Sequence, residues 1–253
     1  MADATTSEIS FVGATGAHLS GVLHLPEDPT GSVLLAHCFT CSKDLHTMTR
    51  LADSLADRGY AVLRFDFTGL GDSGGEFTAS TVSANIGDLT RATVALLERG
   101  YGPCGLVGHS LGGAAVLLAA HRLKTVRSIV TIGAPASPGH VRGLFADSTD
   151  EIRASGEAVI TVAGRDFPIS ADFLEDLDRH DQADATAELG RPLLVVHATD
   201  DEVVPISEGE KIFAAADQPK AFWAMPGADH LLTRREDADR AAQVVGSWLD
   251  WTR

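Results

Sequence analysis

The stretch Gly105-Leu-Val-Gly-His-Ser-Leu-Gly-Gly113 ends a short apolar run in one serine, with glycine two places before it, two places after it and again at the next position. Glycine inside a regular element costs conformational entropy, so three around one hydroxyl indicate a demanding backbone geometry rather than good packing. A buried parallel strand that ends in Gly-x-Ser-x-Gly and runs straight into a helix is the pattern of a nucleophile elbow. Side chains at Gly108 and Gly112 would collide in so tight a turn, and Gly113 lets the following helix approach the sheet. The elbow is expected to lift the Ser110 hydroxyl to the carboxyl end of the strands, with a helix N-terminus behind it supplying positive potential.

Outward from this stretch, apolar runs rich in Val, Leu and Ile alternate with segments of helical period, and neither an internal repeat nor a low-complexity linker interrupts them. That alternation predicts an α/β fold with a mainly parallel eight-stranded sheet and helices on both faces. ISFVG and HLSGVLHL read as a hairpin turning around Gly13 to Gly16, and SVLLAHCF (32–39) as the first fully buried strand. A helix follows with apolar positions at Leu45, Met48, Leu51, Leu55 and Ala56, stopped by Gly59. YAVLRFDF, a glycine-rich loop at 69–75, a helix through about 82–99, strand CGLVGH, helix LGGAAVLLAAHRL and strand RSIVTIGAP continue the rhythm. From Ala136 to about Gly190 it breaks: two short helices are expected in GHVRGLFADSTDEIRAS, a hairpin about Ala163 and Gly164, and a helix ADFLEDLDRH capped by Ser170. It resumes with RPLLVVHATD, ISEGEKIFAAA, KAFWAMPG and a last helix to Trp248. Residues 1–253 are therefore read as one domain with a small cap inserted over about 136–190.

A serine hydroxyl alone is a poor nucleophile near neutral pH; it needs a base and a group to orient that base. For an elbow of this kind the chain order is Ser, then Asp or Glu, then His. HATDDEVVP follows the last long buried strand and MPGADHLLT follows the final one. His230 is the candidate base and Asp201 the candidate orienting acid, with Asp200 the neighbour to test next; the loop after RSIVTIGAP holds no carboxylate until Asp147. The oxyanion needs two preorganised N–H donors, expected from the backbones of Leu111 and Phe39. His109, beside the serine, and Leu144, Phe145, Phe167 and Phe173 in the cap are candidate pocket walls.

Taken together, the oxyanion loop, Gly-x-Ser-x-Gly, the cap insertion and the late acid and histidine resemble the α/β-hydrolase superfamily over nearly the whole chain. AHCFTCSKD, LRFDFTGLGDSGGEF and GHSLGGAAVL further resemble the hydrolase half of bifunctional hydrolase/OsmC-type proteins, although no second domain is expected after this unit to support a peroxide-related role. Cys38 stands where that superfamily more often carries glycine, and the resemblance implies that His37 buttresses the oxyanion loop. The expected chemistry is carboxylesterase hydrolysis of small to medium, neutral acyl esters through an acyl-enzyme, with no cofactor and no metal. Thioester, amide or carbon–carbon cleavage and perhydrolysis use the same three residues, and a non-catalytic binding or redox-sensing protein is the alternative outside enzymes.

Composition narrows the partners. A net charge of -15 disfavours nucleic acid and anionic membranes. MADATTSEIS lacks the basic and apolar regions of a signal peptide, and AAVLLAA is too short to span a bilayer, so a cytoplasmic protein without a membrane partner is expected. Three cysteines suit a reducing compartment; Cys38 and Cys41 form a C-x-x-C, read as packing because no second such motif or H-x-x-x-H completes a zinc site. GLGDSG (69–74) fits G-x-G-x-x-G, with Asp88 at the distance of a ribose contact, but no helix opens on those glycines, so a shaped loop near the site is expected. The acidic run DLDRHDQAD (176–184) lacks the glycine and glutamate of a calcium loop and reads as a solvated helix end. His18, His24, His46, His121, His140 and His180 read as surface or packing residues, and His197 as structural.

Overall fold

A computed structural model describes residues 4–252; Met1, Ala2 and Asp3 of the acidic start, and Arg253, lie outside it. The chain opens with β1 (Thr5–Val12) and β2 (His18–Leu25), then runs through β3 (Gly31–Ala36), α1 (His46–Asp57), β4 (Tyr60–Phe65), α2 (Val82–Leu97), β5 (Gly105–His109), α3 (Leu111–Ala119) and β6 (Ser128–Ile132). An excursion follows: a 3₁₀ segment (Pro138–Ser148), α4 (Thr149–Ser155), β7 (Glu157–Val162), β8 (Arg165–Ser170), α5 (Ala171–Leu177) and α6 (Gln182–Ala187). The chain returns through β9 (Leu193–Ala198), α7 (Ile206–Ala215), β10 (Lys220–Met225) and α8 (Arg235–Thr252).

Eight strands form one sheet in the order β1-β2-β4-β3-β5-β6-β9-β10. The first two junctions are antiparallel and all later ones parallel. The central strands are buried on both faces, as parallel strands sandwiched by helices must be, so their residues alternate between two cores. Leu34, Leu106, Ile129 and Val195 pack with Ile86 and Leu89 of α2 and Val116 of α3. Val33, Val107, Val130 and Val196 pack on the other side with Met48, Leu51 and Leu55 of α1 and Val245 and Leu249 of α8. Each such aliphatic side chain contributes about 1.5–3 kcal/mol by leaving water. No helix among the described residues is long and apolar enough to cross a membrane.

Several boundaries differ from the sequence expectation. The strand expected to reach Phe39 ends at Ala36, where its pairing with β5 stops at Gly108 and the chain turns over the sheet. The last helix continues past Trp248 to Thr252. The hairpin turns where expected, Val162 facing Arg165 across Ala163 and Gly164, both at positive φ as a two-residue turn between twisted strands requires.

The acidic run is a solvated helix end only in part: Asp178, Asp181 and Asp184 are exposed, but Asp176 is not. Asp181 caps α6, accepting a bond from the Asp184 amide, and Asp176 is buried. Its carboxylate accepts from the Ser83 amide (2.8 Å) and hydroxyl (2.6 Å) in the first turn of α2, whose N–H groups have no acceptor within the helix. Burial pushes the Asp176 carboxyl up, but the Ser83 bonds and His180 outweigh it and hold it below its ordinary value. A charge that sequence density assigns to solvent thus ties the excursion to the body. Replacing Asp176 by alanine is expected to cost about 2 kcal/mol, lowering Tm by roughly 4–8 °C in scanning calorimetry; Asp150→Ala, on a fully exposed carboxylate, stays within about 0.5 kcal/mol.

Candidate active site

The turn between β5 and α3 places Ser110 at φ 54°, ψ -125°, a region that non-glycine residues adopt only where surrounding structure holds them, at a cost of about 1–3 kcal/mol. Its amide donates to Ile132 O (2.9 Å), and its carbonyl accepts from Gly113 N (2.8 Å). A Cβ at position 108 would lie 2.3 Å from Gly112 O, and one at position 112 would lie 2.4 Å from His37 O. At position 113 a Cβ would meet that of Ala134 at 2.5 Å.

Three side chains far apart in sequence meet here. His230 Nε2 lies 3.0 Å from Ser110 Oγ, and His230 Nδ1 lies 2.8 Å from Asp201 Oδ2. The other carboxylate oxygen of Asp201 accepts from the amides of Val203 (2.9 Å) and Val204 (2.8 Å). Burial pushes the Asp201 carboxyl up, yet the bonds from His230 and these two amides outweigh it and hold it below its ordinary value. With a carboxylate accepting at Nδ1, that nitrogen carries the proton and Nε2 presents a lone pair to the Ser110 hydroxyl. Asp200 is exposed and accepts instead from the Thr199 hydroxyl (2.9 Å).

Three buried histidines frame this chain. His109 does not line the pocket as expected: its Nε2–H donates to His230 O (2.7 Å), securing the backbone that carries the His230 ring. Burial, then the His230 ring, lower its pKa to about 3. His197 does the same for the loop after Asp201, donating to Val204 O (2.9 Å), and burial lowers its pKa. His37 donates from Nδ1 to Cys38 O (2.8 Å) and accepts the Phe67 amide at Nε2 (3.3 Å); burial lowers its pKa also. His37 thus stands under the loop after β3.

That loop is further fixed by a buried lysine. Lys43 donates from Nζ to Asp66 (3.0 Å), Asp44 (3.0 Å) and Asp72 (2.5 Å), and its amide donates to Asp66 Oδ1 (2.6 Å). Asp66 also accepts the Asp72 amide (2.9 Å). Burial alone would depress the ammonium, but its bonds to Asp72, Asp66 and Asp44 raise its pKa well above the ordinary lysine range. The glycine-rich loop is therefore clamped to the loop after β3. Asp88 is fully buried, accepting from Ala14 N, Thr68 N and the Thr68 hydroxyl, where no ribose could reach it.

Phe39, Ser110 and Leu111 all line a cavity of about 520 Å³. The Leu111 amide opens α3, where first-turn N–H groups lack an acceptor within the helix. Leu144, half exposed, lines the cavity as expected, but Phe145, Phe167 and Phe173 do not. They are drawn into an aromatic cluster behind it: Phe173 stacks on Phe39 at 5.6 Å, Phe77 meets Phe39 at 5.6 Å and Phe167 at 4.9 Å, and Phe145 meets Phe173 at 6.1 Å. The cluster seats the excursion on the loop after β3. Walls missed from sequence include Val141, Val203, Val204 and Leu231, with Glu202 and His140 as the polar ones. Four of these directly follow Asp201 or His230, and that adjacency was the usable signal. A second cavity, of about 430 Å³, lies at the amino ends of the strands beside Lys124 and Arg127, away from all three side chains.

Cys38 and Cys41, expected to be packing residues, are joined in a disulfide. The turn closed by Cys41 N donating to Cys38 O (3.2 Å) brings their α-carbons to 5.3 Å, within the span of a disulfide.

Residues 33–244 match the Alpha/beta hydrolase family. The esterase domain of a Rhodothermus marinus protein is 40% identical, with 96% of this chain and 97% of that chain covered and a TM-score of 0.80. The monoacylglycerol lipase of Mycolicibacterium smegmatis is 25% identical, over 98% of this chain and 99% of its own length. Est1E from Butyrivibrio proteoclasticus, solved with ferulic acid bound, shares the fold at a TM-score of 0.77 and 19% identity over 96% of this chain and 98% of that one. The names of these relatives make no mention of an OsmC-type partner, so the finer likeness to hydrolase/OsmC-type proteins rests on the sequence wording alone. These relatives cover the elbow, the excursion and both late loops, and the chain belongs to the alpha/beta hydrolase family.

Proposed function

We propose that this protein is a serine carboxylesterase that cleaves small to medium, neutral acyl esters, working as one domain whose excursion caps the site. The observation that carries the reading is the unbroken chain from the Ser110 hydroxyl through His230 to Asp201, at 3.0 and 2.8 Å. Ser110 attacks the acyl carbonyl while His230 Nε2 takes its proton, and Asp201 balances the imidazolium that forms. The amides of Phe39 and Leu111 donate to the tetrahedral oxyanion. Collapse expels the alcohol with the proton from His230, leaving an acyl-Ser110; water then enters by the same steps in reverse. Asp201, held below its ordinary pKa, stays ionised across the neutral range.

The substrate class follows from the walls. Val141, Leu144, Val203 and Leu231 favour an apolar acyl or alcohol group, and the Glu202 carboxylate at the wall opposes an anionic one. The names of the Rhodothermus and Mycolicibacterium relatives support an ester bond over other acyl bonds.

Ser110→Ala is expected to keep its circular dichroism and melting transition, to lose labelling by a fluorophosphonate probe and to lower kcat on p-nitrophenyl esters by at least about 10⁴-fold. Labelling or turnover that survives in this variant refutes the reading. Asp201→Asn is expected to lower kcat about 10⁴-fold, while Asp200→Asn changes it little; the reverse ranking assigns the acid to the neighbour.

Stability should depend on pH through the buried histidines. His37, His109 and His197 have lowered pKa values in the fold, whereas unfolded histidine titrates near 6.5. Below about pH 6.5 the unfolded chain binds protons that the native state refuses, so stability is complete above that pH and declines as pH falls toward the folded values. From pH 7.5 to 5, His109 alone is expected to remove about 2 kcal/mol, measured as the free energy of urea unfolding; an unchanged value excludes the neutral assignment.

A further inference from the structure

Phe39 and Thr40 are the two residues enclosed by the Cys38–Cys41 bridge, and Phe39 carries one of the two oxyanion amides. Thr40 sits at φ 60°, a left-handed conformation that a branched residue keeps only under constraint. Before the turn, His37 fixes the Cys38 carbonyl (2.8 Å); after it, Asp66 fixes the Lys43 amide (2.6 Å). The Phe39 ring packs against Phe77 and Phe173, and its N–H lies in one peptide plane with that Cys38 carbonyl, which also accepts the Cys41 amide (3.2 Å), so the direction of the N–H depends on the turn from Cys38 to Cys41 as well as on His37. The covalent bridge closes the turn that aims it.

The bridge is also accessible. Cys38 is buried, whereas Cys41 is partly exposed, and both sulfur-bearing residues line the cavity that holds Ser110. We propose that this disulfide positions the Phe39 amide for ester hydrolysis and is the site at which a dithiol reductant turns that hydrolysis down. The inference rests on the esterase reading above.

The exchange is balanced. A thiolate of the reductant attacks Cys41 Sγ, the S–S bond breaks and Cys38 leaves as a thiolate that takes up a proton. The second thiol of the reductant then displaces Cys41 from the mixed disulfide, yielding two protein thiols and a cyclic disulfide. Two electrons and two protons pass from the reductant to the protein. The Thr40 turn then relaxes, and the Phe39 amide is left aimed at the oxyanion by His37 alone, so this donor is weakened rather than deleted.

The test is kcat and KM on a p-nitrophenyl ester across a series of reduced-to-oxidised dithiothreitol ratios, with thiols counted by Ellman's reagent in denaturant. The chain has three cysteines and two are bridged, so the count should rise from one to three. Over that rise kcat is expected to fall about tenfold or more, short of the 10²–10³ cost of deleting a donor. KM should stay within about twofold, circular dichroism should be unchanged and reoxidation should restore kcat. Cys38→Ser/Cys41→Ser is expected to show the low kcat at every ratio, and Cys104→Ser to keep the wild-type response. An unchanged kcat at three thiols, three thiols under oxidising conditions, or reduction that unfolds the protein overturns the proposal. A wild type that neither turns over ester nor takes the fluorophosphonate label in either state overturns the esterase reading and this proposal with it.

Discussion

Between the α-carbon of Gly112 and the carbonyls of Ala36 and His37 there is no room for a methyl group: a Cβ would stand 2.6 and 2.4 Å from those two oxygens. This backbone approach brings the end of β3 against the first turn of α3. It brings the loop that carries Phe39 beside the turn that carries Ser110 and Leu111, so the three residues line one cavity because of one contact. The left-handed Ser110 follows from the same constraint, since the chain must reverse within two residues to start the helix where it does.

Around that contact the supports divide by chemistry. The two late loops are held by hydrogen bonds from neutral imidazoles, His109 to the His230 carbonyl and His197 to the Val204 carbonyl. The loop after β3 is held by charge below, through Lys43 and Asp66, by aromatic packing above, through Phe77 and Phe173, and by a covalent bridge within. The loop after β3 thus carries the most varied of these restraints, as suits a segment without regular secondary structure.

How much of this was legible beforehand depended on whether the signal was local. The elbow was readable because glycine spacing encodes a steric demand, and Asp201 and His230 because strand ends fix where such loops fall. Ser170 capping α5 and the Ala163–Gly164 turn were readable for the same reason. The pocket walls were not: Phe145, Phe167 and Phe173 are as apolar as the true walls, and only tertiary packing decides which aromatic faces a cavity and which faces Phe39. Asp176 was misread because charge density predicts solvent unless the helix end awaiting it is known. The C-x-x-C was misread because composition speaks of compartments, while a bridge depends on the turn between its two ends.

Lys43 brings together carboxylates from three stretches of chain: Asp44 beside it, Asp66 after β4 and Asp72 in the glycine-rich loop. Its charge is enclosed against the fully buried Asp66, so exchanging Asp66 for a neutral residue removes the buried counter-ion beneath the loop after β3, while Asp44 and Asp72, both largely exposed, tie the flanking stretches to the same ammonium. In this protein the freedom usual for surface loops is therefore withdrawn from residues 69–75. Variants that retune the pocket are confined to the excursion and to the tips of the two late loops, and recombining these segments with those of a relative requires all three charged stretches to travel as one block.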